Sequence, residues 1–194
     1  MAKALIIVAH PDDETIWMGG TILRNRKWSW TILSLCREND PDRRPKFEKV
    51  CEIYNAKPII SNLDDEILQP LKINDIIKKI EKILPSLDYD YVFTHGLNGE
   101  YGHIRHKEIH KAVKKMINNG ILKCRKLFFF SYNLPNKKTL DKKIPSPSVN
   151  YDFSIKLKDL ELSKKKEIIN HIYGFQTNSF ELLSCQNIEP FKIL

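Results

Sequence analysis

Residues 4–14 read Ala4-Leu5-Ile6-Ile7-Val8-Ala9-His10-Pro11-Asp12-Asp13-Glu14. The first six form a continuous apolar run rich in branched side chains, the pattern of a strand buried on both faces of a parallel sheet. The run ends in one imidazole and three carboxylates. Ligands of doubly wound sheets bind beyond the carboxyl ends of the strands, so these groups stand where a site is expected. A dinucleotide fold would carry G-x-G-x-x-G here; instead Gly19-Gly20 come too late, inside the helix that follows. An acid in a first helical turn is accounted for by capping or by the helix dipole. That account does not explain His10 at the strand end.

Outward from this stretch, strands and helices alternate. The pattern predicts a helix from about Thr15 to Lys27, a strand over Trp30–Cys36, and a helix over Arg44–Asn55 with Phe47, Val50, Cys51 and Tyr54 on one face. A short strand at Pro58–Ile60 and a helix over Ile73–Leu84, ended by Pro85, come next. Then follow a strand at Tyr91–Thr94, a helix over Ile104–Asn118 and a strand at Leu127–Phe130. A Lys- and Pro-rich loop, about 135–150, leads to a strand at Tyr151–Leu157 and a helix from about Leu160 to Ile172. Such alternation predicts the α/β class: a Rossmann-like, mostly parallel sheet flanked by helices on both faces. A length of 194 residues suits a single domain over 1–194.

Hydrophobic residues at 42% and charged residues at 29% exclude long disorder. No apolar run approaches the roughly 20 residues of a membrane helix, and residues 1–10 lack a small-residue cleavage site. A soluble, cytoplasmic protein is expected. Cys36, Cys51, Cys124 and Cys185 are widely spaced, without a CxxC pair, and read as reduced, mostly buried thiols.

The net charge is +8, but it is unevenly placed. Up to His110 there are 16 basic and 17 acidic residues; from Lys111 onward there are 16 and 7. A basic surplus invites a nucleic-acid reading. The chain lacks the interleaved aromatic and basic pattern of an RNA-binding sheet, so no nucleic-acid partner is expected. Docking of an anionic group by Lys137, Lys138, Lys142 and Lys143 is the alternative task for the surplus.

A second polar cluster, His95-Gly96-Leu97-Asn98-Gly99-Glu100-Tyr101-Gly102-His103-Ile104-Arg105-His106, follows the fourth strand and opens the fourth helix. The topological switch of the sheet places strands one and four side by side, so the two clusters face each other. His103 and His106, three apart, share a helical face. Imidazoles and carboxylates gathered in this way suit zinc, whose catalytic sites keep three protein ligands and an open position. The His106–His110 segment is not H-E-x-x-H, because Glu108 lies one position too late.

Ala9-His10-Pro11-Asp12-Asp13-Glu14 together with Gly102-His103-Ile104-Arg105-His106 closely resembles the PIG-L/LmbE-like family of zinc-dependent N-acetylglucosaminyl de-N-acetylases. Tyr173-Gly174-Phe175-Gln176 resembles that family's Tyr-x-x-Gln element more weakly. The resemblance implies Zn2+ held by His10, Asp13 and His106, with Asp12 as general base. It implies a cationic His103 facing the developing oxyanion, helped by Tyr101, and Glu14 supporting the ligands from behind. It also implies an amino-sugar substrate, a GlcNAc conjugate, and homo-oligomers such as related proteins often form. An Arg in the helix after strand two would bind substrate; Arg43 and Arg44 both match. One departure stands out. The family usually has Pro and Asp between the two histidines, where this chain has Ile104 and Arg105. That Asp is thought to orient the first histidine, so its loss motivates an alternative: a sugar- or metal-binding member with impaired catalysis. His171 could reach the pocket or lie on the surface, whereas His110 reads as a supporting or surface residue. Trp28 and Trp30 read as core or strand-edge residues.

Overall fold

Strand β1 (Lys3–Val8) lies in the middle of the sheet, and its apolar run follows from what covers each face. Ala4, Ile6 and Val8 enter one half of the core, with Trp17, Phe47 and Tyr54. Leu5, Ile7 and Ala9 enter the other half, with Ile76, Ile80 and Ile109. Side chains leave a strand alternately, so only a strand covered twice needs an unbroken apolar sequence. The structure, a computed structural model, describes residues 1–134 and 144–194. Lys137, Lys138, Lys142 and Lys143, and with them most of the 135–150 loop, lie outside the described residues.

Around β1 come α1 (Asp13–Arg24), β2 (Ser29–Ser34), α2 (Arg43–Tyr54), β3 (Ala56–Ile60), α3 (Ile73–Ile83), β4 (Tyr91–Thr94), α4 (Ile104–Asn118) and β5 (Lys126–Phe130). The five strands are parallel in the order β3-β2-β1-β4-β5. β1 and β4 are therefore neighbours, as a doubly wound sheet requires. The fold is a single α/β domain with a mostly parallel sheet between helices. Helix and strand ends differ from the expected ones by a few residues, where terminal turns fray.

The C-terminal part departs further. β6 (Tyr132–Asn133) and β7 (Ser146–Pro147) form a small ribbon. β8 (Phe153–Lys156) falls within the expected strand, but its partner β9 (Ile188–Ile193) is absent from the sequence reading. β9 inserts antiparallel between β5 and β8. It carries Pro190 and the buried Glu189, and both disguise a central strand. Glu189 is buried because it has partners. It accepts from Gly20 N at 2.9 Å, Thr21 N at 2.7 Å, Thr21 Oγ1 at 2.6 Å and Lys165 Nζ at 2.8 Å. The Gly20 and Thr21 donors belong to the restart of α1 after its kink at Met18 (φ −149, ψ 20), where a new first turn has free N–H groups. Gly20 suits this crossing: a Cβ there would overlap the Leu157 side chain.

The helix expected over 160–172 ends earlier. α5 (Asp159–Glu167) widens into a π-helical turn over Ile168–Ile172, and Tyr173 N–H bonds Ile168 O at 3.0 Å. A short α6 (Phe180–Leu183) follows. Cys36, Cys51 and Cys185 are buried free thiols and Cys124 is half-buried. Among the described residues no helix is long and apolar enough to cross a membrane.

Candidate metal centre

The carboxyl ends of β1 and β4 deliver the two polar clusters to one point. His10 follows β1, Asp13 opens α1, and His106 sits in the first turn of α4. His10 Nδ1 is 3.1 Å from Asp13 Oδ2. His106 Nε2 is 3.3 Å from the same oxygen and 3.3 Å from His10 Nδ1. The outer nitrogen of each ring faces a carboxylate: His106 Nδ1 lies 2.6 Å from Glu100 Oε2, and His10 Nε2 lies 3.1 Å from Asp65 Oδ1. With protons on the outer nitrogens, both inner nitrogens present lone pairs. Two imidazoles and a carboxylate oxygen then converge on one point. Tetrahedral zinc, with bonds of about 2.0–2.1 Å, separates its ligand atoms by roughly 3.4 Å. The donor set and its spacing therefore fit a metal ion of that kind.

Neighbouring groups hold these candidate ligands. Asp13 Oδ1 accepts from Trp17 Nε1 at 2.8 Å, and Oδ2 accepts from His10 N at 2.9 Å. His95 stacks on His106 with ring centres 3.7 Å apart. Its Nε2 accepts from Ala9 N at 2.9 Å and its Nδ1 bonds Glu100 at 2.9 Å, so both ring nitrogens are already engaged. Burial works to discharge both His10 and His106. Asp13 and the outer carboxylates outweigh it, and each rises to about 9. Burial likewise opposes the charge of Glu100, but His95 and His106 hold it at about 2.

Asp12 has φ 109, a left-handed backbone unusual for a side chain of this size. Glu14 Oε2 accepts its N–H at 3.0 Å, and its carbonyl accepts from Thr15 and Ile16 at 2.9 Å each. The turn aims the Asp12 carboxyl into a cavity of about 330 Å³, where Arg43 Nη1 donates to Oδ2 at 2.9 Å. Burial and the charge of Asp13 push Asp12 well above the usual carboxylate range, against the pull of Arg43 and His10. Asp13 moves the other way: despite burial, His106 and His10 hold it well below that range. Two adjacent carboxylates are thus shifted in opposite directions. Glu14 is fully buried behind them, and burial raises it to about 7. Its Oε1 accepts from Thr15 Oγ1 at 2.7 Å and Tyr173 Oη at 2.8 Å. Phe175, two residues on, lies 4.4 Å from the Arg43 guanidinium carbon. The Tyr-x-x-Gln element therefore braces Glu14 and Arg43.

Tyr101 and His103 line the same cavity. His103 caps α4, its Nδ1 accepting Arg105 N–H at 3.3 Å, so Nε2 carries the ring proton. Burial, with the charges of His106 and His10, lowers His103 to about 4. That shift favours the neutral form of the ring, where the family resemblance implies a cation. Burial pushes the Tyr101 phenol upward, leaving a neutral donor.

Other expected residues fall elsewhere. Arg44 pairs with Glu48 at 3.0 Å on the surface and does not line the cavity; Arg43 does. His110 Nδ1 bonds the His95 carbonyl at 2.9 Å. His171 is exposed on the wall of a separate cavity. Trp28 and Trp30 stack with each other near the amino end of β2, away from the site. The Arg105 guanidinium is bonded to Asp64, Gln69 and Glu108, not to His103. Sequence reasoning missed the roles of Glu100 and Asp65. Glu100 stood inside the second cluster, six residues before His106. Asp65 lies in the irregular loop between β3 and α3, where no periodicity marks it.

Residues 5–117 match the family described as GlcNAc-PI de-N-acetylase (PIG-L). The uncharacterized protein L374 of Acanthamoeba polyphaga mimivirus is 29% identical over 127 residues, covering 58% of this chain and 56% of that protein. The chain thus spans little more than half the length of this curated relative. Among solved structures, the conserved protein TT1542 from Thermus thermophilus superposes with a TM-score of 0.68 at 14% identity, covering 99% of this chain and 94% of that one. The N,N'-diacetylchitobiose deacetylase from Pyrococcus horikoshii, complexed with its inhibitor MPG, gives 0.67 at 18%, covering 100% and 84%. At these identities the likeness is one of fold.

Proposed function

The chain belongs to the GlcNAc-PI de-N-acetylase (PIG-L) family, and we propose that it is a zinc-dependent hydrolase that removes the N-acetyl group from an N-acetylglucosamine-containing substrate. The observation that carries this reading is the convergence of His10 Nδ1, Asp13 Oδ2 and His106 Nε2, none more than 3.3 Å from the next, beside the Asp12 carboxyl. A neighbour of the same fold that deacetylates diacetylchitobiose supports it.

Zinc held by His10, Asp13 and His106 would supply a Lewis acid for the amide carbonyl and lower the pKa of water at the site. Asp12 takes a proton from the attacking water. Arg43 engages its Oδ2, which leaves Oδ1 for that proton. Asp12 then returns that proton to the amine as the C–N bond breaks. His103 donates from Nε2 to the carbonyl oxygen as negative charge grows there, and Tyr101 donates from its hydroxyl. The products are acetate and the free amino sugar.

The impaired-catalysis alternative rests on Arg105, whose guanidinium is committed to Asp64, Gln69 and Glu108. No observation favours that alternative. The test is release of acetate and free amine from a panel of GlcNAc conjugates, with and without zinc. Asp12→Ala should lower kcat by about 10²–10⁴-fold. If the metal-loaded protein releases no acetate from any amino-sugar derivative, the amidase reading is wrong.

A further inference from the structure

We propose that Arg105 is a positioning residue for the metal centre: it fastens residues 64–69 to α4 so that Asp65 stays against the outer nitrogen of His10. The inference rests on the reading of His10, Asp13 and His106 as metal ligands.

The segment between β3 and α3 has little regular structure of its own. It is tied to α4 at three places. Arg105, fully buried, donates from Nε to the Asp64 carbonyl and from Nη2 to Asp64 Oδ2 at 2.7 Å. Its Nη1 donates to the Gln69 carbonyl at 2.9 Å and to Glu108 Oε2 at 2.7 Å. Glu108 Oε1 in turn accepts Leu71 N–H at 2.8 Å. The forked guanidinium suits this task, because its donors leave in fixed directions and reach two backbone carbonyls and two carboxylates at once.

Asp65 stands between the first two anchors. Its Oδ2 accepts from Arg37 Nη2 at 2.8 Å. Its Oδ1 is buried, makes no well-directed hydrogen bond, and lies 3.1 Å from His10 Nε2. A carboxylate on the outer nitrogen of a ligating imidazole fixes the tautomer and the ring orientation, and losing it typically weakens metal binding about 10–100-fold. Glu100 serves His106 in this way from the turn just before α4. For His10, Asp65 is the carboxylate at that nitrogen among the described residues, and it comes from a loop far along the chain. An irregular loop opens locally at low cost unless it is tied down. Arg105 therefore acts on the metal through Asp64, Asp65 and His10, without touching metal or substrate.

The test compares the full-length wild type with Asp65→Asn, Arg105→Met and Arg105→Lys. Zinc affinity is read by competition with a chromogenic chelator, ligand geometry by the visible spectrum of bound Co(II), and loop order by hydrogen exchange over residues 62–72. Asp65→Asn and Arg105→Met should each weaken zinc binding about 10–100-fold. The double variant should lose little more than the worse single one, because both interrupt one path. Arg105→Lys should fall between, and Arg105→Met should speed exchange over the loop and alter the cobalt band. An Arg105→Met protein that is less stable but keeps wild-type zinc affinity and cobalt spectrum overturns the proposal, as does a loss confined to Asp65→Asn. Should Arg105→Met not fold, Asp64→Ala loosens the same anchor from its more exposed side and must show the same losses. Wild-type protein that binds no zinc, or binds it equally after His10→Ala, brings down the ligand reading and this inference together. Intact wild-type binding that Arg105→Met leaves unchanged brings down this inference alone.

Discussion

Glu100→Gln gives a sharp test of the site. The carboxylate is fully buried and receives three donors: His106 Nδ1 at 2.6 Å and His95 Nδ1 at 2.9 Å on Oε2, and Gly96 N at 2.6 Å on Oε1. Gln keeps the shape but has one acceptor oxygen and one amino group. With its oxygen toward the histidines, the amino group faces Gly96 N–H. Turned over, it faces both imidazoles. The first arrangement is cheaper and still leaves a buried donor without an acceptor, at about 1–3 kcal/mol. The remaining bonds lose their charge assistance, which roughly doubles the strength of a hydrogen bond. The cost should be about 2–4 kcal/mol. For a chain of this size each kcal/mol moves Tm by about 2–4 °C, so the metal-free melt should fall by about 4–16 °C. His106 keeps an acceptor at Nδ1 but no longer a charged one, so its ring is less basic and less firmly oriented, and zinc affinity should drop about 10–100-fold. Melts in chelator and a competitive zinc titration measure the two effects separately. A metal-free Tm within about 1 °C of wild type, or an unchanged zinc affinity, would refute Glu100 as the acceptor that organises His95 and His106.

Three further outcomes follow from named contacts. Arg43→Ala removes the partner of Asp12 and should lower kcat/KM for a GlcNAc conjugate by about 10-fold or more, whereas Arg44→Ala should leave it unchanged and shift stability by no more than about 0.5 kcal/mol; steady-state kinetics and a denaturant midpoint check both. Arg105→Asp puts the family's usual acid back, but beside Asp64 and Glu108 it adds a third carboxylate; it should cost about 3–5 kcal/mol and lower activity rather than raise it, which urea unfolding and the acetate assay read directly. Lys165→Met leaves Glu189 charged and buried, and should destabilise the fold by about 3–5 kcal/mol with little change in KM among molecules still folded.

The sequence announces the parts of the molecule that obey one rule at a time. β1 is apolar on both faces, so its run is unbroken, and the parallel core around it follows from alternation alone. His10, Asp13 and His106 were legible because they sit in two short clusters at strand ends. β9 was hidden because two rules collide in it. Pro190 argues against a central strand, and Glu189 breaks the apolar face for the sake of donors in α1, some 170 residues away. The end of α5 was misplaced because its apolar spacing continues through Ile172 while the backbone widens, which lets Tyr173 reach Glu14. Asp65 left no trace because its role depends on Arg105 and His10, which are remote in sequence and meet only through the fold. The downward shift of His103 likewise comes from its burial and from two neighbouring imidazoles, which no motif encodes.

The same distinction between whole-chain and local properties applies to charge. The chain carries +8, yet the described cavity does not share that excess. Its two arginines are each matched by a carboxylate, Arg37 by Asp65 at 2.8 Å and Arg43 by Asp12 at 2.9 Å, while Asp40 and Glu181 add further negative charge at the rim. A phosphate entering this cavity would have to displace those carboxylates from their partners. A neutral sugar amide would not, and its growing negative charge would arise beside His10, His103 and His106 rather than at the rim. The acids gather where the proposed dication would be held. The net charge of the chain therefore says little about what enters the described cavity, and the pairing of each arginine there says more: these guanidiniums hold carboxylates in position, and on the proposed reading the cavity should favour uncharged groups next to the sugar amide.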